Sequence, residues 1–203
     1  RVQNDFSVFF LLLNNISVFV VLIVGYSFLI DRLQTQSTLT RQAVLGIYFG
    51  LVTFVSMHVK IPVVEGVIVD QRNALVVLSG AFGGPFAALI CGAMASVYRV
   101  YLGGAGVVAG VFGITLSAIV GTILYLVPWR SSTVLNLFLG AVFAVAFTAP
   151  GFLLVGDFDY GLALMRRMLL PWGLAIFVGI FLGGLLLSRE DRRLRAEQAK
   201  RKT

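Results

Sequence analysis

Charge is the first thing this chain lacks. Only 12% of its 203 residues are Asp, Glu, Lys or Arg, against 59% hydrophobic residues. Mean hydropathy is +0.96. A soluble domain carries about 25% charged residues, so a water-soluble globule is excluded, and disorder needs the opposite balance. Cysteine is equally scarce: Cys91 stands alone, which rules out a disulfide framework. His58 is the single histidine. With no second His and no Cys at ligand spacing, no metal site is written in the sequence. There is no Ser/His/Asp set and no carboxylate pair on a buried helix face. The chain is therefore not expected to be an enzyme, and no cofactor is implied. The net charge is +7, but it is not spread as a nucleic-acid-binding face requires, so nucleic acid is not an expected partner. What remains is an all-α integral membrane protein with the lipid bilayer around it.

The charges that are present mark boundaries. There are 16 basic and 9 acidic residues, and ten of them crowd between Arg189 and Lys202. None lies between Asp5 and Asp31, Arg41 and Lys60, Arg72 and Arg99, Arg99 and Arg130, Arg130 and Asp157, or Arg167 and Arg189. A helix needs roughly 20 apolar residues to cross the hydrocarbon core. Backbone in lipid must satisfy its own hydrogen bonds, and these runs lack the alternation of barrel strands. Six or seven helical segments are expected. The first covers residues 6–30 and the second 42–59. A connecting stretch over 60–70 contains Pro62 and Gly66, and three later segments end near Arg130, Val155 and Ser188.

The run 73–98 has two readings. Gly83-Gly84-Pro85 stands in its middle, and a proline there removes a helical hydrogen bond and clashes with the preceding turn. The run is either one kinked span or two short helices, 71–82 and 85–101. Two helices would bring Arg72 and Arg99 to the same membrane surface, whereas one would separate them. The basic tail places the C-terminus in the cytoplasm by the positive-inside rule.

Arg72 and Arg99 are the main candidates for function. An arginine at membrane depth is costly and marks a functional site by default. Its guanidinium can hold a carboxylate in a bidentate fork. The competing reading is a snorkelling arginine, or one paired with Asp70 or Glu65. Asp70 suits an N-cap or a place beside those arginines. Tyr98 and Tyr101 flank Arg99 as interfacial tyrosines, and Tyr98 is also a candidate ligand contact. Gly104 lies in the run Gly103-Gly104-Ala105-Gly106, whose backbone N–H groups at a helix start would favour an anion. Asn14 and Asn15 suit a hydrogen bond to a neighbouring helix or a subunit contact. Glycine pairs four apart, such as Gly80/Gly84 and Gly179/Gly183, permit close helix packing within one subunit or across a dimer. Cys91 reads as inert packing.

Several motifs together are distinctive: Asp70-Gln71-Arg72, then the run from Leu78 to Pro85 (Leu-Ser-Gly-Ala-Phe-Gly-Gly-Pro). Tyr98-Arg99-Val100-Tyr101-Leu102-Gly103-Gly104-Ala105-Gly106 and Leu116-Ser117-Ala118-Ile119-Val120-Gly121 follow. Their order and spacing resemble the five-transmembrane LytS-type receptor domain, 5TMR-LYT, over roughly residues 43–190. The resemblance implies a sensory module ahead of a histidine kinase or diguanylate cyclase. It also implies a distant similarity to the S components of energy-coupling-factor transporters, which carry a Gly-Pro turn between two short helices and bind ligand from outside. Some LytS-type receptors are implicated in sensing small carboxylates such as pyruvate and carry a cysteine and a serine where this chain has Gly110 and Gly113. Those two glycines join Arg72, Arg99, Asp70, Tyr98 and Gly104 as candidate ligand-binding positions.

Three parts are expected: an N-terminal helix with its cytoplasmic loop over 1–41, the sensor domain over 42–188, and a cytoplasmic signalling helix starting at 189. The tail is rich in helix formers and suits a basic anchor on anionic lipid as well as a signalling helix. The expected function is that of a sensor in the bacterial cytoplasmic membrane, forming a homodimer. A small anionic ligand binds from the extracytoplasmic side and the signal passes to a C-terminal output domain. The alternative is a substrate-binding subunit of a metabolite transporter.

Overall fold

The computed structural model describes residues 2–58, 62–64, 67–68, 71–104, 106–127 and 133–201. Seven helices dominate it: α1 (Val2–Arg32), α2 (Thr38–His58), α3 (Arg72–Gly83), α4 (Pro85–Leu102), α5 (Val107–Leu126), α6 (Thr133–Thr148) and α7 (Phe158–Arg201). A 3-10 turn, Ala149–Leu154, follows α6. The stretch between α2 and α3 holds two short paired strands, β1 (Pro62–Val64) and β2 (Val67–Ile68). Among the described residues this small hairpin is the one departure from an all-α membrane fold. Among the described residues, five segments are long and apolar enough to cross a membrane: α2, α4, α5, α6 with its 3-10 turn, and the first part of α7.

The run 73–98 is two helices. The chain breaks at Gly84, whose φ of +96° lies in the left-handed region that glycine adopts without strain. Pro85 then opens α4 at its first position, where its missing N–H costs nothing. Packing fixes the directions. On α5, Asn73 faces Gly113 and Gly80 meets Gly121, so α3 runs parallel to α5. Arg99 meets Gly110 and Gly92 meets Ala118, so α4 runs antiparallel to α5. Helices α3 and α4 therefore form an antiparallel hairpin with Gly84 at its tip. The tip is held from α2, where Gln42 Oε1 accepts the Phe86 backbone N–H at 3.0 Å. At about 1.5 Å per residue the 12-residue α3 spans only about 18 Å, too little for the bilayer core. It is tolerated because it is sheathed in protein: ten of its residues are buried.

Two apolar clusters surround α3. In the first, Leu22 and Tyr26 of α1 meet Leu45 and Phe49 of α2, Leu75 and Leu78 of α3, and Leu187 of α7. The ring of Tyr26 stands edge-on to Phe49 and Phe82 at 6.3 and 6.2 Å. In the second, Ala74 and Val77 of α3 meet Val120 and Leu124 of α5, Ala141 and Ala144 of α6, and Ile176 and Ile180 of α7. Hydrophobicity alone does not drive helices together in lipid, so close approach of small residues matters more. A β-carbon added at Gly80 would lie 2.6 Å from the Gly121 carbonyl carbon, and one at Gly183 would lie 2.9 Å from Leu78. These glycine stripes are thus used inside the subunit.

The last helix is continuous for 44 residues despite Pro171. Its far end is stitched back to the bundle. Ser27 of α1 donates to Glu190 at 3.2 Å, and Arg192 donates to Thr133 at the start of α6. Glu190 and Glu197 flank Arg193 at 3.9 and 3.1 Å.

Candidate functional site

Because α3 and α4 form a hairpin, Arg72 at the start of α3 and Arg99 in the last turn of α4 sit at the same end of the bundle. The Gly84 tip and the basic tail lie at the other end. Arg99 is half-buried and lies across the beginning of α5. Its Nη1 donates to the Gly103 carbonyl at 2.9 Å. A β-carbon at Gly106 would be 3.1 Å from Nη2, and one at Gly110 would be 2.7 Å from Nε. The guanidinium is thus seated at the N-terminus of a 20-residue helix, where backbone N–H groups and the helix dipole already supply positive potential. Gly104, with φ of +94°, lies in the turn that leads into it.

Gly113, one turn further into the membrane than Gly110, faces Asn73. A β-carbon there would lie 3.5 Å from Nδ2 and 3.8 Å from Oδ1 of that amide. Positions 106, 110 and 113 share one face of α5, so Arg99 and Asn73 are laid along one stripe that carries no side chains. Asn73 is 5% exposed, and its Oδ1 has no hydrogen-bond partner among the described residues. Gln71, also 5% exposed, occupies the N-cap position of α3. Its side chain turns away from α5 to α7, where Nε2 donates to the Ala175 carbonyl at 3.2 Å. Gly179 provides the room: a β-carbon there would collide with Gln71 Oε1.

The expected site residues divide accordingly. Arg99, Gly110 and Gly113 share the α5 stripe, with Gly104 at its mouth, and Arg72, half-buried, opens α3 at the same end of the bundle. Tyr98 points elsewhere: its hydroxyl pairs with His58 Nδ1 at 3.0 Å and its ring lies 4.3 Å from that of Phe54, on the α2 side of α4. This pairing also occupies the single histidine. Tyr101 is 82% exposed, as an interfacial tyrosine would be. Asp70 lies outside the described residues, as do Lys60, Glu65 and Arg130, and the N-cap falls on Gln71. The side chains of Asn14 and Asn15 are likewise outside what is described. Gln71 and Asn73 do not stand out in the sequence. The available signal was a pair of amides bracketing an arginine at the head of an apolar helix.

Neither a curated protein nor a solved structure matches the chain. The family model described as 5TMR of 5TMR-LYT matches residues 26–190. That match runs from the last two turns of α1 to the point where α7 becomes charged, and so includes every residue of the site. The chain belongs to this family of membrane sensor domains.

Proposed function

We propose that the chain binds a small carboxylate at the Arg72/Arg99 end and transmits its presence along α7. The observation that carries this reading is the seat of Arg99. A guanidinium seated beside the N-terminus of α5 adds its charge to the positive end of the helix dipole, and the two together attract an anion. The fork geometry of arginine suits a carboxylate, and the low dielectric around the site strengthens the pairing.

The charge distribution favours an extracytoplasmic site. Seven basic residues follow Ser188 and mark that end as cytoplasmic by the positive-inside rule, in a bacterial cytoplasmic membrane. Transmission has a physical route. Arg72, the first residue of α3, is the neighbour of Gln71, and Gln71 is bonded to α7 one turn after Pro171. The proline removes one backbone hydrogen bond from α7, which makes that turn the place where the helix can re-angle. A ligand that prefers one of two α3–α7 arrangements would shift the population of the other and so move the tail that leads to an output domain, a histidine kinase or diguanylate cyclase. The continuous α7 favours this sensor over a transporter subunit, which needs no such lever.

The test is thermal unfolding of the purified chain with short carboxylates and, in parallel, their neutral amides. Carboxylates raise the midpoint, amides do not, and Arg99→Ala removes the difference. Equal shifts from acid and amide would refute an anion site.

A further inference from the structure

At the cytoplasmic end of α7 some arginines are paired and others are not. The ion pairs described there belong to Arg193, flanked by Glu190 and Glu197. Arg189 is exposed and has no hydrogen bond or ion pair among the described residues. Arg192 is exposed too, and its guanidinium donates to a neutral partner, the Thr133 hydroxyl. Asp191 does not meet Arg189, because residues two apart do not face each other on a helix.

These two guanidiniums are brought to one depth. Leu137 packs on Gly184 and Val145 on Gly173, so α6 and α7 are antiparallel. Thr133, one turn before Leu137, is then level with Ser188, one turn after Gly184. The Arg192 backbone lies about 6 Å beyond that level. Its side chain folds back to Thr133, in the direction in which helical side chains lean. Arg189 directly follows Ser188, so both arginine heads sit where α7 leaves the bilayer.

An uncovered apolar stripe runs from them into the membrane. Val178, Leu182 and Leu186 are exposed and four apart, and Arg189 continues the same face. Beside it stands the exposed Phe138 of α6, edge-on to Phe177 and Phe181 of α7 at 5.4 and 6.3 Å. Exposed apolar side chains are ordinary on a membrane helix; the unpaired charge that ends this stripe sets it apart. An anionic phospholipid has the matching order, a phosphate at the surface and acyl chains beneath. Arginine recognises phosphate through its planar fork, and basic residues beside the membrane attract anionic lipid.

The geometry points to a binding site for an anionic phospholipid of the cytoplasmic leaflet. Its phosphate pairs with Arg189 and Arg192, and an acyl chain lies along Leu186, Leu182 and Val178 beside Phe138. Through Arg192 and Thr133 the lipid ties the exit of α7 to the start of α6. The occupant is a lipid because the stripe leads from the arginines straight into the bilayer. The site lies at the opposite end from Arg99 and does not depend on the carboxylate reading.

Native mass spectrometry of the purified chain, exchanged into equal amounts of phosphatidylglycerol and phosphatidylcholine with identical acyl chains, tests this. Retained lipid should be enriched in phosphatidylglycerol, by about fivefold for each arginine in the site. Arg189→Gln loses no bond within the described protein, so it should fold normally and cut the enrichment about fivefold. Arg192→Gln should do the same. Arg41→Gln, at the same end but on α2, should leave it unchanged. Equal retention of the two lipids by the unaltered protein would overturn the site. So would enrichment that survives Arg189→Gln and Arg192→Gln together, or a loss of equal size in Arg41→Gln. In a second arm, the chain is melted in phosphatidylcholine nanodiscs with soluble glycerol phosphate, and no shift is expected. A rise equal to that given by phosphatidylglycerol nanodiscs would overturn the lipid in favour of a free anion.

Discussion

Arg99 and Gly110 are in direct contact: the arginine stem lies where a side chain at position 110 would be, with Nε only 2.7 Å from the place of a β-carbon. The glycine is therefore clearance for the guanidinium.

Gly110→Ala should lift Arg99 off α5, because the clash involves the middle of the arginine and not its free end. Binding of a small carboxylate should weaken at least about tenfold, roughly the loss of one charge-assisted hydrogen bond. Gly113→Ala is the control. Its β-carbon meets nothing nearer than 3.5 Å, so melting temperature should hardly change. Parallel titrations and melting curves of the two variants check this.

Gly179→Ala drives a methyl into Gln71 Oε1 and lies 3.0 Å from the Ala74 β-carbon. Overpacking of this kind costs about 1–3 kcal/mol. The bond from Gln71 to the Ala175 carbonyl should break with it. Gln71→Met removes the same bond without the clash. Both variants should unfold earlier in detergent and should separate ligand binding from movement of α7. Distances between spin labels on α1 and the tail, with and without ligand, report that movement.

The hairpin predicts sidedness. Pro85 at the tip and Tyr101 at the end of α4 are both exposed. With Cys91 replaced by serine, a cysteine at 85 should react with a membrane-impermeant reagent only from the cytoplasmic side, and one at 101 only from outside. Labelling of position 85 from outside would contradict the topology.

Gln42→Ala removes the one side chain that accepts the Phe86 N–H. Loss of a helix cap costs about 0.5–2 kcal/mol. The variant should melt earlier while keeping its affinity for carboxylates, since the tip lies at the opposite end from Arg99.

Much of this fold was legible from where charge is missing. Asp31, Arg41, Arg72 and Arg99 each fall within a few residues of a helix end, and Gly83-Gly84-Pro85 marked the hairpin tip. Periodicity said little more, because a helix buried in protein and one facing lipid are both apolar all round. Arg72 and Arg99 could be singled out because charge at membrane depth needs a reason. Asn73 and Gln71 could not, since an amide gains meaning only from its tertiary neighbours, here Gly113 and Ala175. Gly110 read as a place where a ligand contact had been lost; only the fold shows that Arg99 fills it. Tyr98, adjacent to Arg99, faces α2 because successive residues of a helix are about 100° apart.

The proposed mechanism rests above all on a guanidinium at the start of α5 holding a carboxylate. Isothermal titration of a short carboxylate into the unaltered protein, Arg99→Lys, Arg99→Ala and Arg72→Ala tests this most directly. Measurable binding by the unaltered protein is expected, with weaker binding by Arg99→Lys, which keeps charge but loses the fork, and none by Arg99→Ala. Undiminished binding by both Arg99→Ala and Arg72→Ala would contradict it.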